Sequence, residues 1–148
     1  MDRYDFMALA LNEAAMCLET DDVPVGAVIV KEGKIISTGR NLKEKENNGV
    51  LHAEIVAITN ANQNLGTTNL SGCELYVTLE PCPMCAGAII NSKIDKVVFG
   101  AFDLKNGACG SVTNLFSLPF THKPQCFGGI MEDECGKILT DFFKSIRK

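Results

Sequence analysis

The chain passes from an apolar run into a short segment rich in proline and cysteine at Glu74-Leu75-Tyr76-Val77-Thr78-Leu79-Glu80-Pro81-Cys82-Pro83-Met84-Cys85. The apolar part predicts a buried strand over residues 74–79. Proline is tolerated in the first turn of a helix, so Pro83 predicts a helix that begins near Cys82 and runs to about residue 91. A second apolar run, at residues 96–101, predicts the next strand. This order of elements predicts a parallel strand pair joined by a right-handed crossover.

Two cysteines and one histidine are candidate ligands of a zinc ion. Cys82 and Cys85 are three residues apart and share one face of the predicted helix, so both thiols can reach one ion. The N-terminus of a helix also favours the thiolate form, which is the form that binds metal. With His52 as the third ligand, one tetrahedral position stays open, as in catalytic rather than structural zinc sites.

Glu54 follows the candidate histidine ligand by two residues. Residues at this spacing point in different directions on a helix, which argues against Glu54 as a ligand of the same ion. A carboxylate beside a water that zinc activates can take and return a proton. We therefore predict that Glu54 is the catalytic proton carrier.

Two other interpretations of the cysteine pair have to be weighed. A Cys-x-x-Cys pair can be half of a structural zinc site or a redox couple. A structural site usually needs a second spaced pair, whereas the other cysteines are scattered singly: Cys17, Cys73, Cys109, Cys126 and Cys135. A redox pair usually lacks an associated His-x-Glu. The pattern therefore favours a catalytic metal site.

The rest of the chain predicts further helices and strands around this unit. Apolar residues at helical spacing and buried apolar runs bounded by turns carry these predictions. In chain order they are a helix over 2–19, strands over 23–31 and 34–38, a helix over 52–62, a strand over 125–130 and a helix over 132–146. The fold class is therefore α/β, with a central sheet of about five strands flanked by helices.

Composition and charge limit the possible functions. The 148 residues, 46% of them hydrophobic, suit a single domain over residues 1–148 with a sizeable core. The net charge of −4 and the pI of about 5.2 argue against a broad basic surface for nucleic acid. We expect no signal peptide, no membrane contact and reduced cysteines, which together indicate a cytoplasmic protein.

The order of these motifs resembles a known family. His-x-Glu followed by Pro-Cys-x-x-Cys is the signature of zinc-dependent nucleobase deaminases. From about Asp5 onward, longer segments resemble the bacterial tRNA-specific adenosine deaminases of the cytidine deaminase superfamily. These segments are Val23-Pro24-Val25-Gly26-Ala27-Val28, residues 75–88, Val97-Val98-Phe99-Gly100-Ala101, Gly110-Ser111, Asp133-Glu134-Cys135 and Asp141-Phe142-Phe143.

The resemblance implies a fold and a reaction. The fold is a three-layer α/β/α arrangement of the cytidine-deaminase type with a mixed sheet. One zinc ion per subunit is held by His52, Cys82 and Cys85, and Glu54 is the general acid and base. Water attacks C6 of adenine and ammonia leaves, so that the wobble adenosine of a tRNA anticodon stem-loop becomes inosine. The resemblance also implies a homodimer that shares its RNA-binding surface, and we expect no DNA substrate.

The same resemblance assigns residues to the substrate. Val25, Asn41 and Asp103 match positions around the pocket, and Phe142, beside Phe143, matches an aromatic position on the last helix. A local basic patch can suffice where few nucleotides are held. Its candidate residues are Arg40, Lys43, Lys45, Lys105, Lys123, Lys144, Arg147 and Lys148.

Two other functions stay open at this point. The excess of acidic over basic residues favours a deaminase of a free base or nucleoside, such as guanine or cytosine. The departures from the family pattern at residues 42–51 and at Thr121-His122 favour the same alternative. The other alternative is a zinc-stabilised binding module. Glu54 argues against such a module, because a structural zinc site has no need of a carboxylate beside an open position.

Overall fold

The secondary structure follows the predicted order of elements. The computed structural model describes residues 1–146. Its elements are α1 (Arg3–Met16), a 3₁₀ helix (Cys17–Thr20), β1 (Gly26–Lys31), β2 (Lys34–Arg40), α2 (Ala53–Leu65), β3 (Cys73–Leu79), α3 (Pro83–Ser92), β4 (Lys96–Ala101), a second 3₁₀ helix (Leu115–Ser117), β5 (Gln125–Phe127) and α4 (Glu132–Ile146). Among the described residues, none of the helices combines the length and the apolar character that crossing a membrane requires.

The strands form one mixed sheet in the order β2-β1-β3-β4-β5. β1 is antiparallel to both β2 and β3, whereas β3, β4 and β5 are parallel to one another. β1 and β2 thus form a hairpin, and the predicted parallel pair of β3 and β4 is confirmed. The carboxyl ends of β3 and β4 lie at the same edge of the sheet, where open α/β sheets commonly bind ligands.

Helices cover both faces of the sheet. Along β1, Ala27 and Ile29 face the core beneath α2 and α3, while Val28 and Val30 face the core beneath α1 and α4. All four side chains are buried, which explains why the strand is apolar without alternation. The predicted three-layer α/β/α fold is confirmed.

The fifth strand is shorter than predicted. The apolar pattern predicted a strand to residue 130, but β5 ends at Phe127. At Gly128 a Cβ atom would lie 2.3 Å from the Phe99 ring, so the backbone leaves the sheet in close contact with that ring. Gly129 then adopts a φ of +87°, a left-handed conformation that ends the extended chain.

Candidate active site

Two helices begin at predicted metal ligands. His52 is the N-cap residue of α2, and Cys82 is the N-cap residue of α3, followed by Pro83 in the first turn. Neither side chain forms a helix-capping hydrogen bond. The imidazole and the thiol are therefore free to face other partners.

The structure brings the three predicted ligands together. The Nδ1 atom of His52 lies 3.6 Å from the Sγ atom of Cys82 and 3.6 Å from the Sγ atom of Cys85. All three candidate ligand atoms lie within 4.8 Å of one another. Zn–S bonds of about 2.3 Å and Zn–N bonds of about 2.0 Å at tetrahedral angles place sulfur and nitrogen about 3.5 Å apart. The donor set therefore fits zinc in both chemistry and spacing.

The cluster also holds one thiol in the metal-binding form. A hydrogen bond from the Cys85 thiol, together with one from His52, lowers the pKa of Cys82 to about 4. The same bond raises the pKa of Cys85 well above its usual range. The bond to Cys82 also raises the pKa of His52. This lowered pKa favours the thiolate form of Cys82, which is the form that metal ions bind.

Glu54 lies in the first turn of α2 and is buried, with only 4% of its surface exposed. Burial raises the pKa of its carboxyl group to about 7. The Cys85 side chain lies within hydrogen-bonding reach of this carboxyl group. Among the described residues, the converging ligand group consists of His52, Cys82 and Cys85, without Glu54. The position is that of a carboxylate beside a metal site.

A cavity of about 400 Å³ opens at this cluster. His52, Glu54 and Cys82 line it. Three of the predicted substrate residues line it as well, namely Val25, Asn41 and Asp103. The remaining lining residues are Val23, Lys43, Leu79, Glu80, Pro83 and Asn106. A larger depression of about 570 Å³ beside the acidic start of α4 contains none of the ligands, so the chemistry belongs to the smaller cavity.

Comparison with known proteins identifies the family. A model of the cytidine and deoxycytidylate deaminase zinc-binding region matches residues 1–101. The tRNA-specific adenosine deaminase of Bacillus subtilis (strain 168) is 47% identical over 144 residues, which cover 97% of this chain and 89% of that protein. The chain belongs to the tRNA-specific adenosine deaminase family. The family prediction from the sequence is thereby confirmed.

Two further members of this deaminase family show the same likeness. The tRNA-specific adenosine deaminase of Aquifex aeolicus (strain VF5) is 44% identical over 147 residues, which cover 99% of this chain and 97% of that protein. A solved structure from a study of A-to-I editing by tRNA deaminases at the wobble position of transfer RNA superposes with a TM-score of 0.89. It is 44% identical and covers 91% of this chain and 99% of that chain.

In this family member, Asn41 joins two walls of the cavity. Its Nδ2 atom donates a hydrogen bond to the carbonyl oxygen of Val23 at 2.9 Å. Its Oδ1 atom accepts a hydrogen bond from the backbone N–H of Ala53, also at 2.9 Å. Because Ala53 directly follows His52, the Asn41 side chain fixes the start of the helix that carries one predicted ligand.

Asp103 lies two residues after β4, at the rim of the cavity. Its Oδ1 atom accepts hydrogen bonds from the backbone N–H groups of Lys105 at 3.1 Å and Asn106 at 3.0 Å. One carboxylate oxygen is thus committed to the turn of its own loop. The Oδ2 atom takes no part in these two bonds.

The two phenylalanines of α4 occupy different environments. Phe142 is buried, with 8% of its surface exposed, and it does not line the cavity. Its ring packs edge-to-face on that of Phe143, with 5.4 Å between the centroids. Phe143 is 40% exposed and lines a groove that shares Leu79 and Asp103 with the cavity. Phe143 thus borders the groove next to the site, whereas Phe142 is buried.

The predicted basic patch is sparse near the cavity. Lys43 lines the cavity, and Lys105 lines the adjoining groove. Arg40 instead forms an ion pair with Glu13 at 3.7 Å. Arg147 and Lys148 lie outside the described residues. Lys43 and Lys105 are thus the candidates that line the cavity or the groove beside it.

One buried carboxylate of the site was missed by the sequence analysis. Glu80 is 2% exposed and lines the cavity. A signal was present in the sequence, because Glu80 directly follows an apolar strand that is predicted to be buried, where a glutamate is unusual. Acidic side chains are almost never fully buried unless they are paired.

Proposed function

We propose that this chain deaminates the wobble adenosine in the anticodon loop of a tRNA by hydrolysis, giving inosine and ammonia. The observation that carries the proposal is the position of Glu54, which lines the same cavity as His52 and Cys82. The names of the relatives support the substrate, since they are tRNA-specific adenosine deaminases.

We assign one zinc ion per subunit to His52, Cys82 and Cys85. The family model describes a zinc-binding region and matches residues 1–101, which contain all three. When bound there, zinc acts as a Lewis acid that lowers the pKa of water. Three ligands would leave one tetrahedral position for the reacting groups. Two of the three, His52 and Cys82, line the cavity.

Glu54 carries the protons in this proposal. Its carboxylate takes a proton from the attacking water and delivers it to the ring nitrogen N1 of adenine. It then takes the second proton of that water, now in a hydroxyl group on C6, and passes it to the amino group at C6, which leaves as ammonia while the C6–O bond replaces the C6–N bond. Burial at 4% exposure keeps bulk water away from the carboxylate, so that the proton it holds is transferred to the substrate.

The cavity walls orient the base. Val25 offers an apolar surface, and Asn41 has one N–H proton left after its bond to the Val23 carbonyl, which can donate to the base. Asp103 borders the entrance. We place Phe143 rather than Phe142 at the RNA-facing side, because Phe143 is the exposed member of the pair.

The net charge of −4 is compatible with this substrate. Bases in single-stranded loops are recognised mainly when they are splayed out and stacked or bonded in pockets. Lys43, which lines the cavity, and Lys105, which lines the adjoining groove, are the side chains that we propose contact the phosphates beside the bound nucleotide. Following the family resemblance, we further propose that the protein is cytoplasmic and forms a homodimer. Light scattering of the purified protein would test the homodimer.

The test of substrate class uses zinc-loaded protein and three substrates in parallel. These are a synthetic anticodon stem-loop with a wobble adenosine, free guanine and free cytosine. We expect inosine from the stem-loop and no turnover of the free bases. Turnover of guanine or cytosine alone would overturn the RNA substrate and establish a free-base deaminase. Bound zinc without turnover of any substrate would instead indicate a binding module.

A further inference from the structure

We propose that Glu80 is a positioning residue for substrate recognition. Its buried carboxylate holds residues 103–111, the rim loop, in the conformation that places Asp103 at the cavity. The proposal rests on the proposed function and extends it, since no chemical step above involves Glu80.

Four hydrogen bonds join Glu80 to the rim loop. Its Oε1 atom accepts from the backbone N–H of Asp103 at 3.0 Å and from the Ser111 hydroxyl at 2.5 Å. Its Oε2 atom accepts from the backbone N–H groups of Cys109 at 3.1 Å and Ser111 at 3.0 Å. One side chain thus binds both ends of the rim loop.

The burial of Glu80 makes these bonds necessary. A carboxylate that is 2% exposed has lost nearly all contact with water, which is costly unless donors replace the water. Here every donor comes from the rim loop. Displacing the loop would leave the carboxylate buried without partners, so the two are coupled.

The rim loop packs directly on the carboxyl group. A Cβ atom added to Gly107 would lie 2.4 Å from the Glu80 Cδ atom and 2.5 Å from the Asp103 carbonyl oxygen. The backbone N–H of Ala108 donates to the Pro81 carbonyl at 2.8 Å. The loop is therefore docked on the junction between β3 and α3, next to Cys82.

This docking connects the metal cluster to the cavity entrance. Glu80 precedes Cys82 by two residues, and both line the cavity. Asp103 and Asn106 line the same cavity from the rim loop, and Glu80 fixes the backbone N–H of Asp103. One hydrogen bond to a buried carboxylate thus ties Asp103 to the segment that carries Cys82.

Glu80→Gln would break this bond selectively. An amide has one acceptor oxygen, and at the Oε2 position it can still accept from Cys109 and Ser111. Its NH₂ group then occupies the Oε1 position, where it can donate to the Ser111 hydroxyl. The backbone N–H of Asp103 would face another donor and lose its partner, so the Asp103 end of the rim loop is released.

A double-mutant cycle on the stem-loop substrate tests the proposal, using Glu80→Gln, Asp103→Ala and the double variant. We expect Glu80→Gln to raise KM by roughly tenfold, the order expected when one buried bond is lost, with zinc per chain unchanged. The double variant should match Asp103→Ala, because Glu80 acts through Asp103. Fully additive effects would mean that Glu80 is merely structural, and they would overturn the proposal.

Two further variants sharpen the cycle. Gly107→Ala keeps the charge of Glu80 but displaces the rim loop, and it should raise KM in the same way. Glu74→Gln changes a partly exposed glutamate on β3, the strand that leads to Glu80. This glutamate accepts a hydrogen bond from Tyr76 instead of from the rim loop. We expect that control to leave KM unchanged.

Hydrogen–deuterium exchange separates this proposal from the proposed function. Glu80→Gln should speed exchange in peptides from the rim loop, and Glu74→Gln should not. If the wild-type protein made no inosine while the exchange result held, the substrate assignment would fail but the positioning role would stand. Unchanged exchange in Glu80→Gln would overturn the positioning role.

Discussion

The Oδ1 atom of Asn41 accepts a hydrogen bond from the backbone N–H of Ala53 at 2.9 Å. Ala53 is the first residue of α2, and the helix has no cap from the side chain of His52. A residue from the end of the β-hairpin therefore satisfies an N–H group that the N-cap residue leaves free. This bond holds His52 in place without engaging its imidazole.

Asn41→Ala is expected to lower the free energy of unfolding and to loosen the start of α2, where His52 lies. Loss of the external cap and of the bond to Val23 should reduce the free energy of unfolding by about 1–2 kcal/mol. Chemical denaturation would measure this. Asn64→Ala is the matched control, because its side chain makes one exposed bond to the Ile36 carbonyl. That variant should change stability by less than about 0.5 kcal/mol.

Glu54→Gln is expected to abolish turnover without loss of metal. The amide fills the same space but cannot carry the proton, so kcat should fall by about 10²–10⁴-fold. Metal analysis should still find one zinc ion per chain, because Glu54 lies outside the converging ligand group of the described residues. Loss of zinc from Glu54→Gln would contradict its role as proton carrier and make it a ligand.

Cys82→Ser is expected to lose zinc. Replacing a thiolate ligand removes the donor whose pKa the cluster lowers, so the zinc content should fall well below one per chain. Cys73→Ala removes a buried thiol at the start of β3, away from the cluster, and should keep full zinc content. Equal zinc loss in both variants would point to general unfolding instead.

Phe142→Ala is expected mainly to lower stability, whereas Phe143→Ala is expected mainly to weaken substrate binding. Phe142 is 8% exposed, so its truncation should cost about 3 kcal/mol of stability. Phe143 borders the groove beside Asp103, so its truncation should mainly raise KM for the stem-loop. Thermal unfolding and steady-state kinetics of both variants would show this. A rise in KM confined to Phe142→Ala would instead support Phe142 as the residue that contacts the RNA.

The elements that local sequence defines could be predicted. Pro83 set the start of α3, and the run of residues 96–101 gave β4 its full extent. Both depend on steric limits and burial that act within a few residues. The approach of His52 to Cys82 was also predictable, because a zinc site built from histidine and cysteine needs these side chains side by side in the fold.

Contacts between segments that are far apart in the sequence could not be predicted from local patterns. The antiparallel pairing of β1 with β3 joins residues 42 to 50 positions apart, and no local pattern encodes it. Glu80 finds its four donors in a loop that follows β4, so its role depends on how that loop folds back. Phe142 and Phe143 are neighbours on a helix, and their sequence alone did not decide which ring is buried.

The most direct test of the account is to map inosine in an anticodon stem-loop that carries adenosine at the wobble position and at a neighbouring loop position. Nucleoside-resolved mass spectrometry after incubation with zinc-loaded protein would locate the product. The account predicts inosine at the wobble position alone with the wild-type protein, and none with Glu54→Gln. Absence of inosine with the wild-type protein, or equal conversion by Glu54→Gln, would contradict it.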